Sequence, residues 1–380
     1  MSAAPPAPWS ARSVPLARRL IAHDRMRFGI TIAGVGCAVV LMLFLLALYE
    51  GVRIESNGYI ASRPSQAWVA QDNTTNFIKS SSILRASGAA TLRTVDGVAE
   101  ATPILRLITT VDIGPRRTTA IVLGIDPQSE LGRPDVVEGT AQLRPGEMIM
   151  DRALARRNAA HVGDVLAAQG RSFRLVGLSH GTNAVLTQLA FVPLEDAKDL
   201  LGFSDAASFI LVRASPGVSA VDLVSRVRGR VEHTNVFTQE EFAANNMHEL
   251  RGGLLPILAT VAVLGGIVAL SVLTLLLYGT ILERRDEYAL LKAVGAPPGF
   301  LARLILAQSL AAVIGGVAFG ALAYAVCAPL AIRIVPEIVL SLSASSLVAV
   351  AAAAIVMGCI GALVPLRRVA RIYPAELFRA

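Results

Sequence analysis

The feature that most restricts this chain is a set of four long runs without a single Asp, Glu, Lys or Arg: Phe28–Tyr49, Gly252–Leu282, Leu304–Ile332 and Ile338–Leu366. Each exceeds the roughly 20 residues that a helix needs to cross about 30 Å of hydrocarbon. Buried helices of soluble proteins seldom stay uncharged for so long, so the pattern predicts four transmembrane helices. The apolar content, 54% of 380 residues, agrees with that reading. The first run is too far from the start, and too weakly closed by small residues, to read as a cleaved secretory signal; "ALYEGVRIE" continues in residues that suit a helix.

Basic residues beside the spans predict the orientation, because Lys and Arg resist translocation. Arg12, Arg18, Arg19, Arg25 and Arg27 precede the first run; Arg284, Arg285, Lys292 and Arg303 lie between the second and third; Arg367, Arg368, Arg371 and Arg379 follow the fourth. These thirteen face only five acidic residues in the same segments, so the net charge of +7 reports topology and contact with anionic headgroups. It does not report nucleic acid, since no aromatic-interleaved basic patch accompanies it. Both termini are expected in the cytoplasm.

The expected organisation is a cytoplasmic segment over 1–27, a first span over 28–50, an extracytoplasmic α+β domain with a stalk over 51–251, and a second span over 252–282. An inner loop over 283–303, spans over 304–332 and 338–366, and a cytoplasmic tail over 367–380 complete it. "VPLARRLIAHDRM" in the first segment reads either as a helix in the headgroup plane or as plain flanking charge. Cys37, Cys327 and Cys359 all fall inside expected spans, so the exported domain has no disulfide and relies on its own core.

Within that domain, runs such as "RLITTVDI", "TAIVLGI", "EMIMD", "RSFRLVGLS", "QLAFVPL" and "SFILVRA" read as strands, and "DRALARRNAA", "LEDAKDLLG" and "AVDLVSRVRGRV" as helices. Thr238 with Glu241 fits a capping box, flanked by Phe237 and Phe242 as a hydrophobic staple, so a helix is predicted to begin at Gln239. It is expected to run toward the second span, with Gly252–Gly253 and Pro256 as points of kinking.

Several chemistries are missing. Of the three lysines, Lys79, Lys198 and Lys292, none follows a glycine in a GxxxxGK[ST] pattern, so this chain is not expected to cradle nucleotide phosphates. No HExxH, CxxC or nucleophile-elbow pattern occurs, and the five histidines lack metal-ligand spacing; His180 reads as a surface-loop residue. The four runs carry no ionisable side chain of the kind that marks ion pathways in pumps. They do carry Gly265–Gly266, Gly315–Gly316, Gly320, Gly358 and Gly361, which read equally as tight helix packing or as the ordinary tolerance of glycine in membrane helices.

Charge is instead concentrated in the short inner stretch "TILERRDEYALLKAVGAPPGFLARLIL". Residues Leu282–Val294 suit a helix, and Gly295 followed by Pro297 and Pro298 is a stop signal. Tyr288, Leu291 and Val294 form an apolar stripe at i, i+3 spacing, whereas Glu283 and Glu287 repel at i, i+4. The pattern admits two readings: a helix that docks on a partner, or a connector whose charges only set topology.

This stretch resembles the cytoplasmic signature of the MacB/FtsX-like (type VII, DevC-like) ABC transporter permeases, with the motif falling on Arg285, Glu287, Leu290, Leu291, Lys292, Ala293, Val294, Gly295 and Ala296. The ending "PLRRVARIYPAELFR", the first run, and "VLGIDP" with "RALARRNAAHVGDVL" are similar to the same family. Tyr288 and Lys292 stand where Ile and Arg are commoner, and the outer domain lacks a long coiled stalk. The resemblance implies a multi-pass protein of the bacterial inner membrane, paired with a second copy of itself and with a separate ABC ATPase that binds ATP and Mg. This chain would itself hold no cofactor and would not be an enzyme. A periplasmic adaptor on the outside stays open. Arg285, Glu287, Tyr288, Leu291, Lys292 and Gly295 would couple to the ATPase, whose motion would move the outer domain to export or extract an amphipathic or lipophilic substrate. The alternative that the family implies is an FtsX-like regulator that activates a cell-wall hydrolase without transport.

Overall fold

The computed structural model describes residues 25–77, 82–184, 187–283, 290–291, 293–294, 296–335 and 338–370. They fall into two compact units, one built on most of the length of the apolar helices and one made of Glu50–Pro256 together with Ala331–Val339.

In the first unit, three helices are long and apolar enough to cross a membrane: Phe28–Glu55, Gly299–Ile334 and Ala344–Leu363. The expected count of four is therefore met in part. The segment expected as the second span is helical over Leu254–Glu283, but its apolar stretch among the described residues, Pro256–Val272, is shorter than a full crossing. The other helices depart from the uncharged runs for local reasons. The first runs Arg25–Glu55, past the end of the uncharged stretch. The third starts at Pro298, since proline fits the first helical position, where no amide partner is needed. The last begins at Ala344 and not at Ile338, because Ser343 Oγ accepts the Ser346 amide (3.1 Å) and caps the helix there.

Glycine sets how closely these helices approach. A Cβ on Gly316 would lie 2.4 Å from Val35 Cγ1, and one on Gly320 would lie 2.7 Å from Val39 Cβ and 2.9 Å from the Gly36 carbonyl. Gly36, on the facing helix, meets Phe319 in the same way. Of the two readings of the membrane glycines, close packing holds at this seam, whose Gly316-x-x-x-Gly320 spacing brings backbones together. Ser309 Oγ donates to the Gly358 carbonyl (2.9 Å) and fastens the third helix to the fourth.

The second unit is the expected α+β domain. Its main sheet runs in the order Thr234–Thr238, Ala67–Gln71, Phe209–Ala214, Val98–Ile113, Arg116–Ile125, Thr187–Pro193, Glu147–Asp151, Arg171–Ser179, Val136–Gly139. Most neighbours are antiparallel; Thr187–Pro193 with Arg116–Ile125, and Glu147–Asp151 with Arg171–Ser179, are parallel. Helices Arg152–Asn158 and Leu194–Leu201 cover part of the sheet through Leu154, Ala155, Ala197 and Leu200. Helices Gly88–Arg93 and Ala220–Val227 cover another part through Leu92, Leu223 and Val227. The alternate residues of the same strands face the other way, and there Trp68, Phe191 and Phe209 join Tyr59, Phe77 and Phe242 in an aromatic core on the opposite face of the sheet. Each such side chain contributes about 1.5–3 kcal/mol by leaving water, which lets the domain stand without disulfides.

The entry and exit strands are neighbours: Ala67–Gln71 pairs antiparallel with Thr234–Thr238, Ala67 opposite Thr238. Directly after that pairing the helix Gln239–Gly252 begins where the sequence predicts it. Thr238 Oγ1 accepts the Glu241 amide (3.1 Å), Glu241 Oε2 accepts the Thr238 amide (2.9 Å), and the Phe237 and Phe242 rings lie 5.9 Å apart. The helix stops at Gly252, one residue before Leu254–Glu283 begins, so the expected kink is a break at Gly253.

Gly316→Leu is expected to cost about 1–3 kcal/mol through overpacking. Thermal unfolding of the purified chain in detergent should register this, whereas Gly29→Leu, with nothing within 4 Å of its Cβ position, should leave the midpoint unchanged.

Candidate functional site

Of the residues assigned to coupling, Arg285, Glu287, Tyr288, Lys292 and Gly295 lie outside the described residues, and Leu291 lies within them. The described ends of the connector form a closed helix terminus. The Val294 amide donates to the Leu290 carbonyl (3.0 Å), and the Ala296 amide reaches back five residues to the Leu291 carbonyl (3.0 Å), as at helix ends that turn sharply out of the spiral.

Leu291 is half-buried and packs against a cluster of Ala296, Phe300, Leu301, Leu304, Ile305 and Ala362. Spacing alone put Leu291 and Val294 on one stripe, but the structure separates them. Val294 is 67% exposed and Leu290 61% exposed, while Leu291 turns inward. The signal for this was present in the sequence: the apolar positions Phe300, Leu301, Leu304 and Ile305, just after Pro298, supply Leu291 with a partner inside its own chain. The connector is thus anchored to the start of the third membrane helix on one face and carries two aliphatic side chains in the open on another.

In the inserted domain Asp151 is a buried carboxyl with several hydrogen-bond partners. Its Oδ1 caps the helix Arg152–Asn158 by accepting the Ala153 (2.8 Å) and Leu154 (3.4 Å) amides. Its Oδ2 accepts the Thr182 hydroxyl (2.7 Å), which lies 2.8 Å from Ser179 Oγ. Burial pushes the Asp151 carboxyl above its ordinary range, opposed by Thr182, the two amides and the nearby His180. This is a satisfied structural network, not a nucleophile with a base: both hydroxyls are spent on holding the loop to the helix cap. His180 itself is exposed, with its backbone amide donating to the Asp135 carbonyl (2.9 Å). Among the described residues no three His, Cys, Asp or Glu side chains are placed to hold a metal ion.

The profile of the MacB-like periplasmic core domain matches residues 28–230, and that of the FtsX-like permease C-terminal region matches residues 259–374. An uncharacterised ABC transporter permease of Mycobacterium bovis is 25% identical over 367 residues, covering 95% of this chain and 98% of the relative. Another, from Mycobacterium tuberculosis, is 25% identical over 354 residues, covering 93% and 96%. Among solved structures, the periplasmic region of MacB from Actinobacillus actinomycetemcomitans aligns at 15% identity with a TM-score of 0.38, covering 46% of this chain and 89% of that one. The extracellular domain of the noncanonic ABC-type transporter YknZ from Gram-positive bacteria aligns at 16% identity with a TM-score of 0.35, covering 46% and 99%.

A carboxyl whose affinity for protons is raised by folding stabilises the fold below its ordinary pKa, and that contribution is lost as pH climbs from there through the raised value. Asp151→Asn keeps the cap and removes the titration. The gap in thermal midpoint between variant and parent should therefore shift in the variant's favour as pH rises above about 4, then level off; a gap independent of pH would contradict the assignment.

Proposed function

We infer that this chain, which belongs to the MacB/FtsX-like family of ABC transporter permeases, transmits the work of a separate ATP-hydrolysing subunit to its inserted domain and thereby exports or extracts an amphipathic or lipophilic substrate. Four helices cross the inner membrane of a bacterium in this reading, with both termini in the cytoplasm and the domain over 51–251 outside. A second copy of the chain completes the permease. ATP and Mg belong to the partner subunit, and an adaptor outside the membrane is compatible with the arrangement.

The observation that carries the reading is the split at the inner connector. Leu291 is tied to the third membrane helix, while Leu290 and Val294 stand 61% and 67% exposed beside a segment rich in charge. Aliphatic residues held in the open on a capped helix end suit a protein contact better than a solvated linker. Arg285, Glu287 and Lys292 would supply the charged rim of that contact, with Tyr288 on its apolar side and Gly295 closing the helix. Anchoring through Leu291 means that a push on the connector reaches the third helix without slack. The uncharged spans fit a role in which they carry motion and not an ion.

Val294→Glu places a charge in the apolar centre of this contact, and Glu287→Lys reverses one on its rim. Co-purification of the ATP-binding subunit from mild detergent should fall by about tenfold or more for Val294→Glu, since a factor of ten answers to about 1.4 kcal/mol and a buried unpaired charge costs more. Glu287→Lys should lower transport-linked ATP turnover while membrane insertion of both variants stays normal. Full retention of the subunit and of turnover in both would overturn the assignment.

A further inference from the structure

The inserted domain is entered through Ser56–Arg63 and left through Gln239–Gly252, and these two segments are laced together by directional polar bonds. Asn57 Nδ2 donates to the Ala243 carbonyl (3.0 Å); Asn246 Nδ2 donates in return to the Ser56 carbonyl (3.0 Å) and to Asn57 Oδ1 (2.9 Å). Gln239 Nε2 donates to the carbonyls of Ile60 (2.6 Å), Ala61 (3.2 Å) and Arg63 (3.1 Å). Carbonyls at the C-terminal end of a helix lack partners within it, and here the end of the short helix Gly58–Ala61 is closed by the first residue of the return helix.

The same short helix is gripped from two other directions. Tyr59 Oη donates to the Gly132 carbonyl (2.9 Å), and Gly58 lies so close to the Gly181 carbonyl that a Cβ would sit 2.6 Å from its oxygen. Arg63, with its side chain 3% exposed, pairs with Asp135 (3.3 Å) and places its guanidinium 5.0 Å from the Tyr59 ring centroid. Below the lacing, Trp68 of the entry strand stacks on Phe242 of the return helix, centroids 5.0 Å apart at 17°.

We propose that Ser56–Arg63 is a rigid joint that binds the end of the first membrane helix to the root of the return helix, so that the two move as one element, with Asn246 and Gln239 as its positioning residues. A flexible linker at this place would let either helix shift alone. Here Asn246 holds one face of the entry segment and Gln239 another, about two turns apart on one helix, so a tilt of either partner strains several hydrogen bonds at once, the Asn246–Ser56 bond among them buried. The inference rests on the force-transmitting reading and deepens it, by naming where motion entering along one helix is imposed on the other.

Hydrogen exchange of the full-length chain in lipid nanodiscs tests it, without nucleotide or partner. Asn246→Asp with Gln239→Glu keeps side-chain size and removes the donors. In the parent chain the amides of Ala61, Ser62 and Arg63 and those of the helix Gln239–Asn246 should exchange slowly and at a common rate. In the double variant both groups should speed up together by about tenfold or more, the consequence of losing five side-chain hydrogen bonds across the junction, one of them buried. Amides in the paired strands Ala67–Gln71 and Phe209–Ala214 should keep their rates. Acceleration of one segment alone, or of neither, would overturn the joint; so would loosening of the whole sheet, which would make these residues general supports of the fold. Because the ATP-binding subunit is absent, the joint can fail while the connector assignment stands, and the reverse.

Discussion

A domain inserted between two membrane helices must bring its own ends together, and this constraint organises the inserted unit of the chain. The first and last strands, Ala67–Gln71 and Thr234–Thr238, satisfy it by pairing directly, with Ala67 opposite Thr238. Backbone hydrogen bonds fix the register of that pair, and a slip of one residue would turn Trp68 and Val236 to the wrong faces. From this pairing the rest follows in both directions along the chain. The entry segment and the return helix come off adjacent strands, so Asn57 meets Ala243 and Asn246 meets Ser56. The aromatic core around Trp68 and Phe242 then fills the space that the junction encloses.

The membrane unit solves a different problem with different means. Lipid supplies no hydrophobic gain for bringing helices together, so close approach and a few polar bonds must do it. Gly36, Gly316 and Gly320 let two backbones approach, and Ser309 reaches the Gly358 carbonyl. No charge is needed in the spans for either task. On the proposed reading this is the whole requirement, because such helices carry displacement and pass no ion.

What was legible in the sequence was local. The capping box at Thr238 and Glu241 depends on residues three apart, and it falls where expected. The strands with clear boundaries, such as Glu147–Asp151 and Arg171–Ser179, were readable for the same reason. The entry strand "AWVAQ" was not, because a strand covered on both faces shows no alternation and its four residues Ala67–Ala70 are all buried. The start of the last membrane helix was misplaced because hydropathy does not register a serine cap, and Ser343 cut the helix short of Ile338. At the connector between the second and third apolar helices the motif was legible by resemblance, but the division of labour between Leu291 and its neighbours was not, since spacing on one helix says nothing of what packs against it. The lacing of Asn57, Gln239 and Asn246 joins residues more than 170 positions apart, and nothing local could announce it.

The central claim is that nucleotide turnover on one side of the membrane alters the outer domain on the other. It is tested most directly by placing pairs of spin labels at exposed positions of the inserted unit, Arg53 with His248 in one sample and Glu130 in each of two copies in another, in the chain reconstituted with its ATP-binding subunit. On addition of ATP with Mg, the Arg53–His248 separation should stay fixed while the separation between copies changes. An inter-copy separation that does not respond, while ATP turnover proceeds at its full rate, would contradict the account.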